Sequence, residues 1–268
     1  YDDFNNNKNG SIKLNSTSFS ANINYNIYNS NEIFVNYSNG FETPTLNEFS
    51  SNILNAGFNE NLDSSKYNNY EIGFSNLNSL SNLNYRIIYF KSYSKNEIVS
   101  YQLEDFPDQN FYRNSGKTSR SGIESEIKFK VNKKLKLNLI STIGDYKFIK
   151  YEVNDQDFSN NRIAGLPKNQ HVFNLNYSLT KKINLILDFK MFGNMYADNS
   201  NKTIINDYKK IDLTILKDFN ISNKKWNGFI SINNLTNTKY FDNIRINAFG
   251  SRYYEPAPGL NFMLGIRK

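Results

Sequence analysis

Glu124 and Glu126 stand two residues apart, with Arg120, Lys128 and Lys130 beside them. Two carboxylates on one face of an extended segment are what an acid–base pair for glycoside hydrolysis requires. The three cations on the same face point instead to a wall of paired charges. The sole histidine, His171, shares its phase with Phe173 and Leu175. A metal centre needs several converging ligands and a nucleophilic serine needs a base at its side, and the sequence nominates no partner for either. The absence of cysteine removes thiolate sites and disulfide frameworks together. No glycine-rich phosphate loop appears. The chain is therefore read as no enzyme, with no catalytic, cofactor-binding or metal-binding residues. Arginine is the suggestive residue type, because its planar fork matches carboxylates. Of the seven arginines, Arg113, Arg162, Arg245 and Arg252 fall in long polar connections, as do Tyr112, Tyr196 and Tyr253, whose rings offer stacking surface. Arg113, Arg162, Arg245, Arg252, Tyr112 and Tyr253 are the candidate ligand-binding residues.

The elements that must position them alternate with period two. From Ile123 to Val131 the odd positions read Ile, Ser, Ile, Phe, Val, while the even positions from Arg120 to Lys130 carry Arg, Gly, Glu, Glu, Lys, Lys. Successive side chains of a strand point to opposite faces, so one face is apolar and the other charged. Asn132 to Lys134 then turn the chain into Leu135, Leu137, Leu139, Ser141 and Ile143. The same pattern recurs from Phe19 to Ile27, Ile33 to Tyr37, Tyr70 to Phe74, Leu83 to Tyr89, His171 to Leu179, Ile183 to Met191, Ile211 to Ile215, Ile230 to Ile232 and Phe262 to Ile266. That makes about eleven strands, with short turns at one end and long loops at the other. Turn asymmetry of this kind belongs to an up-and-down barrel in an outer membrane, with short turns periplasmic and long loops extracellular. Alternation alone would also suit a soluble sandwich. Tyr25, Tyr37, Tyr70, Tyr89, Tyr93 and Tyr177, near strand ends on or beside the apolar face, fit the headgroup zone of a membrane.

The bulk numbers agree. Of 268 residues only 38% are hydrophobic, yet 15% are aromatic, a level that disordered chains do not reach. No apolar run is long enough for a transmembrane helix. The net charge of +7 is spread along the chain and accompanies abundant Asn, Ile, Tyr and Phe, a bias that AT-rich codons produce, so nucleic acid is not an expected partner. Outer-membrane lipid and lipopolysaccharide are. The loop arginines have two competing uses there, pairing with loop carboxylates and contacting lipopolysaccharide phosphates.

Five segments, in order, resemble one family. Val35 to Glu48, with its aromatic-x-x-Pro-Thr-Leu-x-Glu run from Phe41, resembles the strand and loop opening of the C-terminal barrel of TonB-dependent outer-membrane receptors. Lys66 to Phe74 is similar to the following strand, Asn114 to Glu124 to the family's Gly-then-Glu strand entry, Asn233 to Tyr240 to its penultimate-strand motif, and Tyr253 to Phe262 to the entry of its last strand. The resemblance implies an all-β, antiparallel transmembrane barrel, this chain (1–268) supplying about eleven strands of a larger, roughly 22-stranded one. An odd strand count implies further strands before the first. The family's N-terminal plug and TonB-contacting segment have no counterpart here. Its usual terminal aromatic residue gives way to Arg267-Lys268, and Leu260 stands where the family usually carries Arg. The implied function is TonB-dependent import of a scarce nutrient across the outer membrane of a Gram-negative bacterium. A ferric siderophore is the first expectation, with cobalamin, a quinone cofactor or a glycan as others. TonB with ExbB and ExbD are the implied partners, acting through the N-terminal part. An outer-membrane adhesin or a passive porin-type barrel is the alternative.

Overall fold

The computed structural model describes residues 2–3, 8–9, 11–50, 58–78, 80–103, 105–114, 116–153, 156–248, 250 and 252–268. Its centre is one antiparallel sheet of 11 strands in chain order. These are β1 (Phe19–Ile27), β2 (Asn31–Glu42), β3 (Ser65–Asn76), β4 (Leu83–Lys95), β5 (Lys117–Lys130), β6 (Leu135–Lys150), β7 (Asn169–Thr180), β8 (Ile183–Phe192), β9 (Tyr208–Ile221), β10 (Lys224–Asn233) and β11 (Asn261–Arg267). The connections 28–30, 77–82, 131–134, 181–182 and 222–223 close one end of the sheet, and 43–64, 96–116, 151–168, 193–207 and 234–260 close the other. The alternation of short and long connections holds throughout. Most strands run further toward the loop end than the apolar pattern indicates, because their last residues are polar and leave no period-two signal. β4, for example, continues from Tyr89 to Lys95, and β6 from Ile143 to Lys150.

Register carries the apolar pattern from strand to strand. Leu83, Phe129, Leu137, Leu175, Leu187, Leu213, Ile232 and Phe262 are successive cross-strand partners from β4 to β11. A slip of one residue at any pair would turn every side chain of that strand to the wrong face. The opposite face carries Glu126 beside Arg86, and Asn174 beside Asp188 beside Asp212. The facing carboxylates of Asp188 and Asp212 are each partnered: Asn174 Nδ2 donates to Asp188 at 2.5 Å, and Lys190 Nζ lies 2.9 Å and Lys210 Nζ 3.5 Å from Asp212. Phe34 is a buried aromatic residue on this polar face, 4% exposed. It lies over Gly73, where a Cβ would come within 2.1 Å of its ring, and under the Arg86 guanidinium at 4.6 Å. A glycine in mid-strand is costly, and here it makes room for the ring.

Three of the segments of family resemblance, 35–48, 233–240 and 253–262, contain loop clamps. Thr45 caps the short helix α1 (Leu46–Phe49): the Glu48 N–H donates to Thr45 Oγ1, and the Thr45 N–H donates to Glu48 Oε2 at 2.6 Å. Pro-Thr-Leu-x-Glu is thus a capping box, two otherwise orphaned amides satisfied reciprocally. Asn234, 1% exposed with φ 55°, accepts from the Thr238 N–H at 2.9 Å, and its own N–H donates to Asp212 Oδ1 at 2.8 Å. Asn237 Oδ1 accepts the Leu260 N–H at 3.0 Å, and a Cβ on Gly259 would come within 2.7 Å of that oxygen.

The two faces set an expected outcome. Replacing Leu187, in the middle of the apolar row, by Arg should cost about 2–4 kcal/mol, whereas Glu126→Gln on the polar face should cost little. Urea unfolding of the two variants in lipid vesicles measures the difference. Equal losses would reject the assignment of faces.

Candidate ligand cleft

Beyond Lys95 and before Lys117 the chain does not wander as a loop. Asn96, at φ 56°, interrupts the strand, and the pair continues as a hairpin, Ile98–Leu103 against Phe106–Asn114. Asn114 fastens its base, donating through Nδ2 to the Asn96 carbonyl at 2.6 Å and to the Asp63 carbonyl at 2.8 Å. Within the hairpin Val99 faces Arg113 and Tyr101 faces Phe111, which sets Arg113 diagonally beside Tyr101 on one face. The Arg113 guanidinium carbon lies 4.1 Å from the Tyr101 ring centre. Its Nε is buried and has no hydrogen-bond partner. A cation on an aromatic face is favourable, but a desolvated N–H with nothing to donate to is costly. Burial also raises the Tyr101 phenol above its ordinary pKa, against the pull of Arg113, so it stays protonated.

Opposite this hairpin stand residues from three other connections. Tyr151, 3% exposed, stacks on Phe148 at 4.5 Å and touches Phe158 at 5.7 Å. Asp198 organises 198–203: it accepts the hydroxyl of Ser200, the Lys202 N–H at 3.2 Å and the Thr203 N–H at 2.9 Å. Burial pushes its carboxyl pKa up, but these donors outweigh burial and hold it below the ordinary value. Asn201 ties this loop to 161–164, donating to the Arg162 carbonyl at 2.8 Å and accepting the Arg162 N–H at 2.7 Å. Asn247 Oδ1 accepts the Asn199 N–H at 2.9 Å and so adds the last loop. Together Tyr101, Leu103, Arg113, Tyr151, Gln156, Phe158, Asp198, Asn199, Ser200, Asn247 and Tyr253 line a cleft of about 330 Å³ at the loop end. It offers aromatic walls, one cation with an unmet donor, and a carboxylate whose oxygens are engaged by its own loop.

The sequence-nominated residues divide. Arg113 and Tyr253 line this cleft. Tyr112 occupies the opposite face of the hairpin strand, and its carbonyl accepts from Asn59 at 3.5 Å. Arg162 does its visible work through its backbone. Arg245 is bound to Glu255 at 2.8 Å, and that bond holds the Glu255 carboxyl below its ordinary pKa. Arg252 does not line the cleft. Tyr196 pairs with Ile204 in a two-residue ladder. Tyr101, Tyr151, Phe158, Asp198 and Asn247 were not nominated. Aromatic residues inside polar connections were the available signal for the first three, and the Asp198-Asn-Ser-Asn201 turn for the fourth. As for the charged residues of the sheet, Glu126 is taken by Lys128 at 2.7 Å. Arg120 binds Glu97, which also accepts from Ser94 and Thr118 at 2.7 Å. His171 Nδ1 lies 2.7 Å from Ser141 Oγ on the apolar face, at the loop end of β7.

The model of the TonB-dependent receptor-like β-barrel matches residues 1–235. The chain belongs to this family. Its fold is similar to that of the siderophore receptor PiuA from Acinetobacter baumannii (TM-score 0.70, 19% identity, 93% of this chain and 35% of that one). It is likewise similar to the ferric yersiniabactin uptake receptor FyuA from Yersinia pestis (0.67, 18%, 93% and 36%) and to the copper transporter OprC (0.73, 12%, 92% and 37%). The chain thus spans little more than a third of the length of these proteins. TonB-dependent receptor barrels reside in the outer membrane of Gram-negative bacteria, and the family consists of receptors and transporters, not enzymes.

The Asp198 loop supplies a pH-dependent outcome. A carboxylate with a depressed folded pKa stabilises its loop fully above the ordinary value of about 4, and that contribution is lost as pH falls through the folded value. A nitroxide on Lys202→Cys, the sole thiol in such a chain, should be immobile at neutral pH and should loosen in acid. In Asp198→Asn it should already be loose at neutral pH. Identical spectra for the two would show that Asp198 does not hold the loop.

Proposed function

We propose that the chain forms the C-terminal part of a larger receptor barrel that imports a scarce nutrient across the outer membrane, driven by TonB with ExbB and ExbD through an N-terminal part of the whole protein. The proposed cargo is a ferric siderophore bearing carboxylate or phenolate groups and aromatic rings. The observation behind the cargo is Arg113: stacked on Tyr101 and left with a buried unpartnered Nε, it lines a cleft with Tyr151, Phe158 and Tyr253. An incoming anion would satisfy that donor in a low-dielectric site, and planar rings would stack on the walls. The structural neighbours named above are described as receptors for a siderophore and for ferric yersiniabactin and as a transporter of copper, so the support for an organic chelate comes from the cleft.

In cells making the receptor, growth under iron limitation on one ferric siderophore at a time should depend on TonB. Arg113→Ala should weaken binding of the supporting chelate roughly tenfold or more, and Tyr253→Ala by less. Arg245→Ala, whose partner is Glu255, should have little effect. Uptake unchanged without TonB would replace this reading with a passive barrel, and surface attachment without any uptake would replace it with an adhesin.

A further inference from the structure

On the apolar face, above the aromatic residues, the register produces an arrangement that isolated strands would avoid. Lys66 of β3 is the direct partner of Lys95 of β4, and Lys95 of Lys117 of β5. Past a bulge between Phe148 and Lys150, Lys150 of β6 is set opposite Lys117. Four strands thus bring four lysines side by side, where partners lie about 5 Å apart and like charges repel. Lys150 has Glu152 at 3.5 Å, but no ion pair is found for Lys66, Lys95 or Lys117 among the described residues. All four side chains are exposed. Glu97, two residues beyond Lys95, is turned to the other face and bound by Arg120, Thr118 and Ser94.

Height decides what meets this row. β4 runs 13 residues from Leu83 at the short-turn end to Lys95 at the loop end. At roughly 3.3 Å per residue and a tilt of about 40°, that is a rise of about 30 Å, just beyond an apolar band about 25 Å tall. Tyr37 and Tyr70, 5.2 Å apart, and Tyr93 under Lys91 mark the upper rim of the band. The lysine row therefore lies at headgroup level on the outside of the wall, on the loop side.

We propose that Lys66, Lys95, Lys117 and Lys150 form a docking site for the phosphorylated glycolipid of the outer leaflet, its lipid A phosphates bridging neighbouring ammonium groups while its acyl chains lie on the apolar rows beneath. Each bridging phosphate converts a repulsive lysine pair into two attractive contacts. The site rests on the outer-membrane setting and not on the cargo, so it stands or falls independently of the import reading.

The test uses the whole receptor, extracted from outer membranes and stripped of lipid, with retention of purified lipid A read by native mass spectrometry. Wild type should retain phosphorylated lipid A at least about tenfold better than its dephosphorylated form, and millimolar inorganic phosphate should not displace it. Lys66→Gln/Lys95→Gln/Lys117→Gln should lose the preference. The corresponding triple Arg variant should keep it, as should Lys133→Gln/Lys134→Gln/Lys182→Gln at the short-turn end. Equal retention of the two lipid forms by wild type overturns the proposal, and that comparison needs no mutant to fold. So does a Gln triple that behaves as wild type, an equal loss in the short-turn control, or displacement by inorganic phosphate, which would make the row a free-anion site.

Discussion

Everything in this chain hangs on satisfying backbone polar groups where no water is available to do so. Within a bilayer each N–H and C=O must find a partner strand, and the only strand-built solution is a continuous antiparallel ladder. The ladder in turn fixes which side chains face lipid. Leu83, Phe129, Leu137, Leu175 and Leu187 form one apolar row only because four registers agree, and agreement at each pair supports the next. The charges on the opposite face are held to the same standard. Asp188 and Asp212 face each other without penalty because Asn174, Lys190 and Lys210 are placed to receive them.

The loop end solves a different problem, since long connections must become a shaped surface without a core of their own. They do so with asparagine. Asn96, Asn160, Asn201, Asn234, Asn237 and Asn247 all take positive φ, a conformation most side chains avoid and Asn tolerates. Asn201 and Asn247 also spend their side-chain amides on the backbone of another loop, pinning one to the other, and Asn234 closes its own loop onto Thr238. The abundance of Asn, read from composition as a genomic bias, is therefore put to structural use: among the described residues, seven of the nine non-glycine positions of positive φ are Asn.

This division explains what the sequence discloses. Period-two alternation survives in any strand with one wet and one dry face, so the strands, their order and the side of the short turns are legible. Strand ends above the bilayer are not, because the regular apolar alternation stops there: Ser92 to Lys95 and Lys147 to Lys150 belong to strands without continuing it. The hairpin 98–114 sits inside a long connection that reads as a loop, although Val99, Tyr101 and Leu103 alternate with Ser100 and Gln102, and the partnership of Tyr101 and Arg113 is hidden with it. The Thr45-x-x-Glu48 capping signature was present but was read only as part of a family motif. Nominating loop arginines by type found Arg113 but not the one fact that separates it from Arg245. Arg245 has the carboxylate of Glu255 from its own loop in hand and Arg113 has an unmet donor, a difference of side-chain placement that residue type does not disclose.

Fold and cargo are thus encoded by different residues. Relatives sharing 12–19% of positions keep the ladder, yet their names include both siderophores and copper among their cargoes. The ladder tolerates such drift because its requirements are for polarity at alternate positions, which many residues meet. A ligand cleft has no such latitude, since it needs a particular donor left unsatisfied at a particular place. Leaving the Arg113 Nε without a partner costs stability in the unliganded protein. The proposed role of Arg113 in binding rests on that contrast, between a cation left with an unmet donor in a cleft and the buried Asp212 of the sheet, which is paired.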